Sequence, residues 1–353
     1  MAHEISEEGF ELMSYVPTPP ENIKQISNKH FCAYTETGTR HLRTNVSNQD
    51  AYFYKLYYDN PEWILFIFGV IDGHGMKERD DKTTTEREIG EYTTILANEI
   101  KETLPDYLYN SFIQLIYNRQ INEKIIKMVI IEYDKLLREL LKTKYNEYYE
   151  THLAGAVMAC NIVIEPKNIP QGEGKKHLIR IQLGDTTNSI YILSNNDVYT
   201  MKQHIVGNLS DKEIKFLEER KMFYILRNEK RVKIPGTEII TPNYRMLGDY
   251  PGKIKAPEIF SADPEVEIYL DMLVNSDSNA ICLLASDGFL YQNLFRNTIE
   301  LKQLIDTIIN DYKHECRITD SINECICKYL VKIMKERNKT KASDDITIII
   351  AVV

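Results

Sequence analysis

The chain has 353 residues, 43 of them basic and 52 acidic, for a net charge of −9. That length can bury a sizeable core as one large domain or two ordinary ones. The charge argues against general affinity for nucleic acid or an anionic membrane surface and makes a basic partner the easier expectation.

The first thirty residues, with PTPP at 17 to 20, read as an extended arm, and the acidic start MAHEISEEGFELM is unlike a signal peptide. From Phe31 short aromatic and β-branched runs predict strands: FCAYTET, AYFYKLYY and WILFIFGVID, separated by Asn, Asp, Gly and Pro. Between Thr84 and Lys144 the apolar period becomes helical, as in INEKIIKMVIIEYDKLLRELLKT. Strands return in GAVMACNIVIE, HLIRIQLGD and SIYIL, and NND at 195 to 197 turns the chain into VYTM. Residues 205 to 260 mix a short helix, DKEIKFLEER, with long loops. VEIYLDML and AICLLASDG then predict strands, LKQLIDTIIN and SINECICKYLVKIMKER helices, and DDITIIIAVV a last strand. This order fits an α+β domain with sheet packed on sheet and helices outside. No apolar stretch nears the ~18 residues that cross a bilayer, and six scattered cysteines suggest reduced thiols. A soluble monomer of the cytoplasm or nucleus is expected. His314, Cys316, Cys325 and Cys327 lack a familiar zinc spacing, and their helical stripe favours buried thiols over a metal site.

Three apolar strands meet an aspartate at one end: Asp72 with Gly73, Asp287 with Gly288, and the pair Asp344 and Asp345. An acid at the rim of a buried strand is costly unless paired, hydrated or bound to a cation. If the strands are neighbours, the carboxylates converge, and hard oxygen ligands favour Mg²⁺ or Mn²⁺. Gly73 and Gly75 would let the backbone fold tightly around an ion, with His74 beside it. Taken singly, each aspartate reads as a turn or capping residue.

The series NQDAYF (48–53), FGVIDGHG (68–75), GAVMAC (155–160), IQLGD (181–185), MLGDY (246–250), SADPEVEIYL (261–270), LLASDGF (283–289) and SDDITIIIAVV (343–353) resembles the type 2C metal-dependent serine/threonine phosphatases. The resemblance runs from about Phe31 to the end. It implies a four-layer α-β-β-α sandwich, two antiparallel sheets flanked by helical layers, as one catalytic domain over 31–353 after an extension at 1–30, with a flap near 207–255. It also implies two Mg²⁺ or Mn²⁺ ions held by Asp72, Gly73, Asp287, Asp344 and Gln49, a water activated by those ions, and His74 as general acid beside Asp72. The implied substrate is a phosphoprotein.

Several residues depart from that pattern. Asn45 stands where the family has a phosphate-gripping arginine, Gln49 where it has glutamate, His152 where it has a further metal-binding aspartate, and Asp345 where it has asparagine. Arg43 shares a strand face with position 45 if that segment is a regular strand, and Arg40 is near, so either is a phosphate-binding candidate. The departures keep open a second function, a pseudophosphatase retaining the fold as a binding or scaffold module. Arg227, Lys230, Arg231 and Lys233 form a basic cluster in the flap, read either as a solvated face or as steering for an acidic partner.

Overall fold

The computed structural model describes residues 31–76, 86–118, 120–145, 153–167, 175–192, 197–226, 228–235, 240–273, 280–289, 327, 331 and 344–353. The extension at 1–30, His152, Arg227, the expected helix at 301–310 and most of that at 321–337 lie outside them. Of the latter segment, Cys327 and Val331 are helical and buried.

The organising element is a long strand, β3 (Trp63–Met76). On one face Leu65, Ile67 and Ile71 join a core shared with two helices. On the other, Phe66, Phe68 and Val70 join a core shared with a second sheet. The continuous apolar run is thus a strand buried on both sides, which is why it lacks alternation.

The sheet around β3 has the order β12-β5-β4-β3-β2 and is antiparallel throughout. Its members are β2 (Ala51–Tyr57), β4 (Leu153–Pro166), β5 (Lys175–Leu183) and β12 (Glu265–Leu273), and the short β11 (Leu247–Gly248) adds to β4. The facing sheet runs β1-β14-β13-β6-β7, from β1 (Phe31–Glu36), β6 (Thr187–Ile192), β7 (Asp197–Thr200), β13 (Ala280–Ala285) and β14 (Ile346–Val352). Outside the first sheet lie α2 (Glu86–Tyr117) and α3 (Glu123–Tyr145), whose buried stripes are Leu96, Ile100, Leu104, Leu108 and Phe112, and Ile126, Ile130, Tyr133, Leu137 and Leu141. Each such side chain contributes roughly 1.5–3 kcal/mol when fully buried. The whole is the α+β sandwich anticipated from the order of elements. Among the described residues no helix is long and apolar enough to cross a membrane.

A third, small sheet, β10-β9-β8, falls within the segment expected as a flap and is built from β8 (Phe223–Leu226), β9 (Glu229–Lys233) and β10 (Ile240–Thr241). It packs with α4 (Asp211–Glu219) on a cluster around Val206, Leu217, Val232, Met246 and Phe260. A Ser210–Glu213 capping box starts α4.

Two local expectations are corrected. DGHG is not a tight turn: β3 continues through it, with Asp72 opposite Val157, His74 opposite Gly155 and Gly75 opposite Ala154. Residues 39–44 are not a strand but a short helix, α1 (Thr39–Thr44), ended by Asn45 in a left-handed conformation at φ 55°.

Candidate functional site

Period two along β3 settles the first question about the site. Asp72 and His74 continue the face of Phe66, Phe68 and Val70, so the strand leaves the inter-sheet core and presents an acid and a histidine where that core ends. Gly73 and Gly75 point to the opposite face, where α2 crosses. A Cβ at Gly73 would run into the Gln49 carbonyl and lie 2.8 Å from Thr93 Cγ2, so this glycine serves close packing.

The facing strands end at the same place. Asp185 follows β5 of the first sheet, while Asp287 follows β13 and Asp344 precedes β14 of the second. A cavity there is lined by Arg40, Gln49, Gly73, His74 and Asp344 among others, with Asp72, Asp185 and Asp287 in its wall. Carboxylate oxygens of these last three all lie within 4.8 Å of one another. The Asp287 N–H donates to Asp72 Oδ2 at 3.2 Å, tying the two sheets at the cleft.

The electrostatics follow from crowding acids in a dry corner. Burial first, then Asp287, Asp50, Asp185 and Asp344, push the Asp72 carboxyl well above the usual carboxylate range. Asp287 stands at the mouth of the cleft where water still reaches it, yet the crowding protein first and Asp185 and Asp344 next push it up to about 8. Burial raises Asp185 too, against a hydrogen bond of 2.9 Å donated by Asn243 Nδ2. Asp50 is raised by burial and then by Asp345, and its Oδ2 is buried with no hydrogen-bond partner. The crowded carboxylate oxygens of Asp72, Asp185 and Asp287 make an all-oxygen donor set that fits a hard divalent cation.

His74 Nε2 lies 2.9 Å from Asp249 Oδ2, while its Nδ1 is buried without a partner. Burial opposes charge on this imidazole, but Asp249, Asp185 and Asp287 outweigh it and leave its pKa above the ordinary value. The pair needs room: a Cβ at Gly155 would sit 2.5 Å from His74 Nε2 and 2.8 Å from the Asp249 carboxyl. Asp249 itself is held at φ 48°, as N-cap of α5 (Tyr250–Lys255).

A second histidine–aspartate pair orders the rim. Asp345 Oδ1 accepts from Gly38 N at 2.7 Å, and its Oδ2 accepts from Gln49 N at 2.6 Å and lies 2.9 Å from His41 Nδ1. One buried carboxylate therefore fixes the start of α1, the Gln49 backbone and the His41 ring. The Asp345 carboxylate beside it, above the opposing effect of burial, raises the His41 pKa. Because 39–44 is helical, Arg43 shares no strand face with Asn45. Arg40 lines the cavity, whereas Arg43 is exposed and not in its wall.

Of the residues expected from the sequence, Asp72, Gly73, His74, Asp287, Asp344, Gln49 and Arg40 all line the one cavity. Sequence reasoning missed Asp50, Asp185, Asp249 and His41. Asp185 carried a signal, since LGD closes an apolar strand just as Asp72 and Asp287 do.

No protein-family model matches the chain, and no curated protein matches it. Among solved structures it is similar to a serine-threonine phosphatase 2C from Toxoplasma gondii, with TM-score 0.59 and 14% identity over 91% of this chain and 94% of that one. A phosphatase from a pathogenic strain of Toxoplasma gondii gives TM-score 0.57 and 15% identity, covering 92% of each chain. At such identities the likeness is one of fold.

Proposed function

For a chain with the type 2C phosphatase fold, we propose that the acidic cleft hydrolyses phosphoserine and phosphothreonine in a protein substrate, with Mg²⁺ or Mn²⁺ as cofactor. The observation that carries this reading is the convergence of Asp72, Asp185 and Asp287 from both sheets within 4.8 Å. Three carboxylates pressed together by folding repel unless cations lie among them.

Asp72, Asp287 and Asp344, with Asp185, the Gly73 carbonyl and Gln49, would hold the ions. When bound, they would supply positive charge against the substrate phosphate and a water acidified enough to attack near neutral pH. Arg40, on the rim, binds a phosphate oxygen in place of the arginine absent at position 45. His74, hydrogen-bonded to Asp249, acts as the acid that protonates the departing serine or threonine oxygen. Asp249, 2.9 Å away, favours the charged imidazole that this step needs.

The second reading, a binding module without turnover, is favoured by Asn45, whose left-handed cap geometry leaves it exposed outside the cavity wall. Hydrolysis of p-nitrophenyl phosphate and of a phosphothreonine peptide with Mn²⁺ decides between them. The phosphatase reading expects Mn²⁺-dependent turnover that Asp72→Ala abolishes. Turnover no greater than that of the variant, with no Mn²⁺ binding by calorimetry, leaves the binding module.

A further inference from the structure

Between positions 220 and 235 the chain carries six basic residues against one acid, Glu229, although the whole protein has net charge −9. This segment is the β8–β9 hairpin, closed by Asn228 at φ 68°. In the order β10-β9-β8, β8 is an edge, and among the described residues no strand pairs with its outer side.

The register says which groups that edge offers. Lys233 N donates to the Met222 carbonyl at 2.8 Å, and bonds in an antiparallel ladder fall on alternate residues. With Phe223 opposite Val232 and Ile225 opposite Lys230, the N–H and C=O of Phe223 and Ile225 point away from β9, to the open side. Beside these unpaired groups Ile225 is 67% exposed and Leu226 46%. Natural proteins rarely leave an apolar edge open, because it templates another strand.

The other end of β8 is basic. Arg220, Lys221, Lys233 and Lys255, with Tyr224, line a hollow of about 410 Å³, in which Glu258 is the one acid among the lining residues. Along one strand, then, an apolar open edge passes into a cationic hollow. At the opposite edge of the same sheet, β10 brings Thr241 to the wall of the acidic cleft. Two strand spacings, roughly 10 Å, separate β8 from that wall.

We propose that the open edge of β8 docks an extended segment of the phosphoprotein substrate, which adds as a fourth strand with branched apolar residues against Ile225 and Leu226 and acidic residues over the Lys221–Lys255 hollow. Main-chain bonds to Phe223 and Ile225 give affinity, and the hollow gives direction and selectivity. The identity of the partner as a substrate rests on the phosphatase reading; the docking edge itself does not. The net charge of the whole chain is −9, and here the local sign is reversed.

The test uses the full chain and two fluorescein-labelled peptides of equal composition. One has an acidic first half and alternating valine and threonine in the second; the other is scrambled. Anisotropy is expected to show the patterned peptide binding at least about tenfold more tightly. Ile225→Pro removes an N–H that points away from β9, so the hairpin keeps its own ladder while binding weakens about tenfold. Lys221→Glu with Lys255→Glu weakens it as much, most at low salt. Turnover of p-nitrophenyl phosphate is expected to be unchanged in both variants, and if Ile225→Pro loses it through misfolding, the charge variant decides. Equal affinity for the scrambled peptide, affinity unmoved in a folded variant, or tighter binding of polyuridylate overturns the proposal. Patterned binding without any Mn²⁺-dependent turnover upholds the docking edge and removes the phosphatase reading; turnover without patterned binding does the reverse.

Discussion

The cleft draws its acids from the ends of strands whose other residues lie in two continuous cores, whereas the flap hairpin stands on a small cluster of its own around Val206, Val232 and Phe260. The first region is negative, tight and under electrostatic strain; the second is basic and open at its edge. The difference shows where such strain can be stored. Mutually repelling carboxylates persist only where the frame cannot yield, because the sheets that carry them are over-determined by packing.

The sharpest way to break that contrast is to discharge the cleft. Asp72→Asn is expected to lower Mn²⁺-dependent turnover at least about a hundredfold, the upper end of what loss of even an outer-shell partner costs a metal site. In chelator, the same variant should melt at a higher temperature than the parent. The sign follows from the raised carboxyls, Asp287 at about 8 among them. Acids whose folded pKa lies above the unfolded value, ~4, lend stability below it that is lost as pH rises through the folded value. Parent stability should therefore fall between about pH 4 and 8 without metal, and Asp72→Asn should flatten that slope. Identical melting curves across this range would show that the acids are not strained.

What the sequence disclosed of this site follows from how far each cause acts. The run Trp63–Ile71 and the Asp72 beyond it are visible because burial on both faces is written into consecutive residues. Asp287 and Asp344 are visible for the same reason. The Asp249 partner of His74 is not, since 175 positions separate them and they meet only because β4 pairs with β3 and with β11, with no Cβ at Gly155 between them. The helix at 39–44 is equally hidden: its first turn is fixed by Asp345, 307 positions from Gly38, and no local pattern announces that bond.

Tightness of the cleft has its own test. A Cβ at Gly73 meets the Gln49 backbone, which cannot swing aside because its N–H is bound to Asp345 at 2.6 Å. Gly73→Ala should cost about 1–3 kcal/mol, as overpacking of a close-packed interior does. Urea denaturation in chelator measures it, and a cost below that of an ordinary surface change would mean that the cleft yields after all.

The rim pair should give a smaller effect with a pH signature. His41 lies 2.9 Å from Asp345 and its pKa is raised, so the pair stabilises fully below the unfolded histidine value and loses its contribution as pH rises through the folded one. His41→Gln is expected to cost about 1–2 kcal/mol near pH 6 and much less near pH 9. It should also raise KM for a phosphopeptide through the displaced α1 and Arg40, with little change in kcat. A deficit independent of pH would assign His41 to packing alone.

The smallest effect belongs to the flap, and its sign is what matters. Gly207 lies exposed in a 3₁₀ turn over Val206–Asn208, and the nearest atom to an added Cβ is Ile205 Cδ1 at 3.7 Å, an ordinary contact. Its backbone is not in the left-handed region, so alanine fits without strain. Gly207→Ala should then stabilise by about 0.4–1 kcal/mol, because alanine restricts the unfolded chain more than glycine does. The same substitution, glycine to alanine, thus has opposite signs at positions 73 and 207 for one reason, the presence or absence of neighbouring backbone. A loss at Gly207 comparable to that at Gly73 would show that the backbone at Gly207 is hemmed in as tightly as in the cleft.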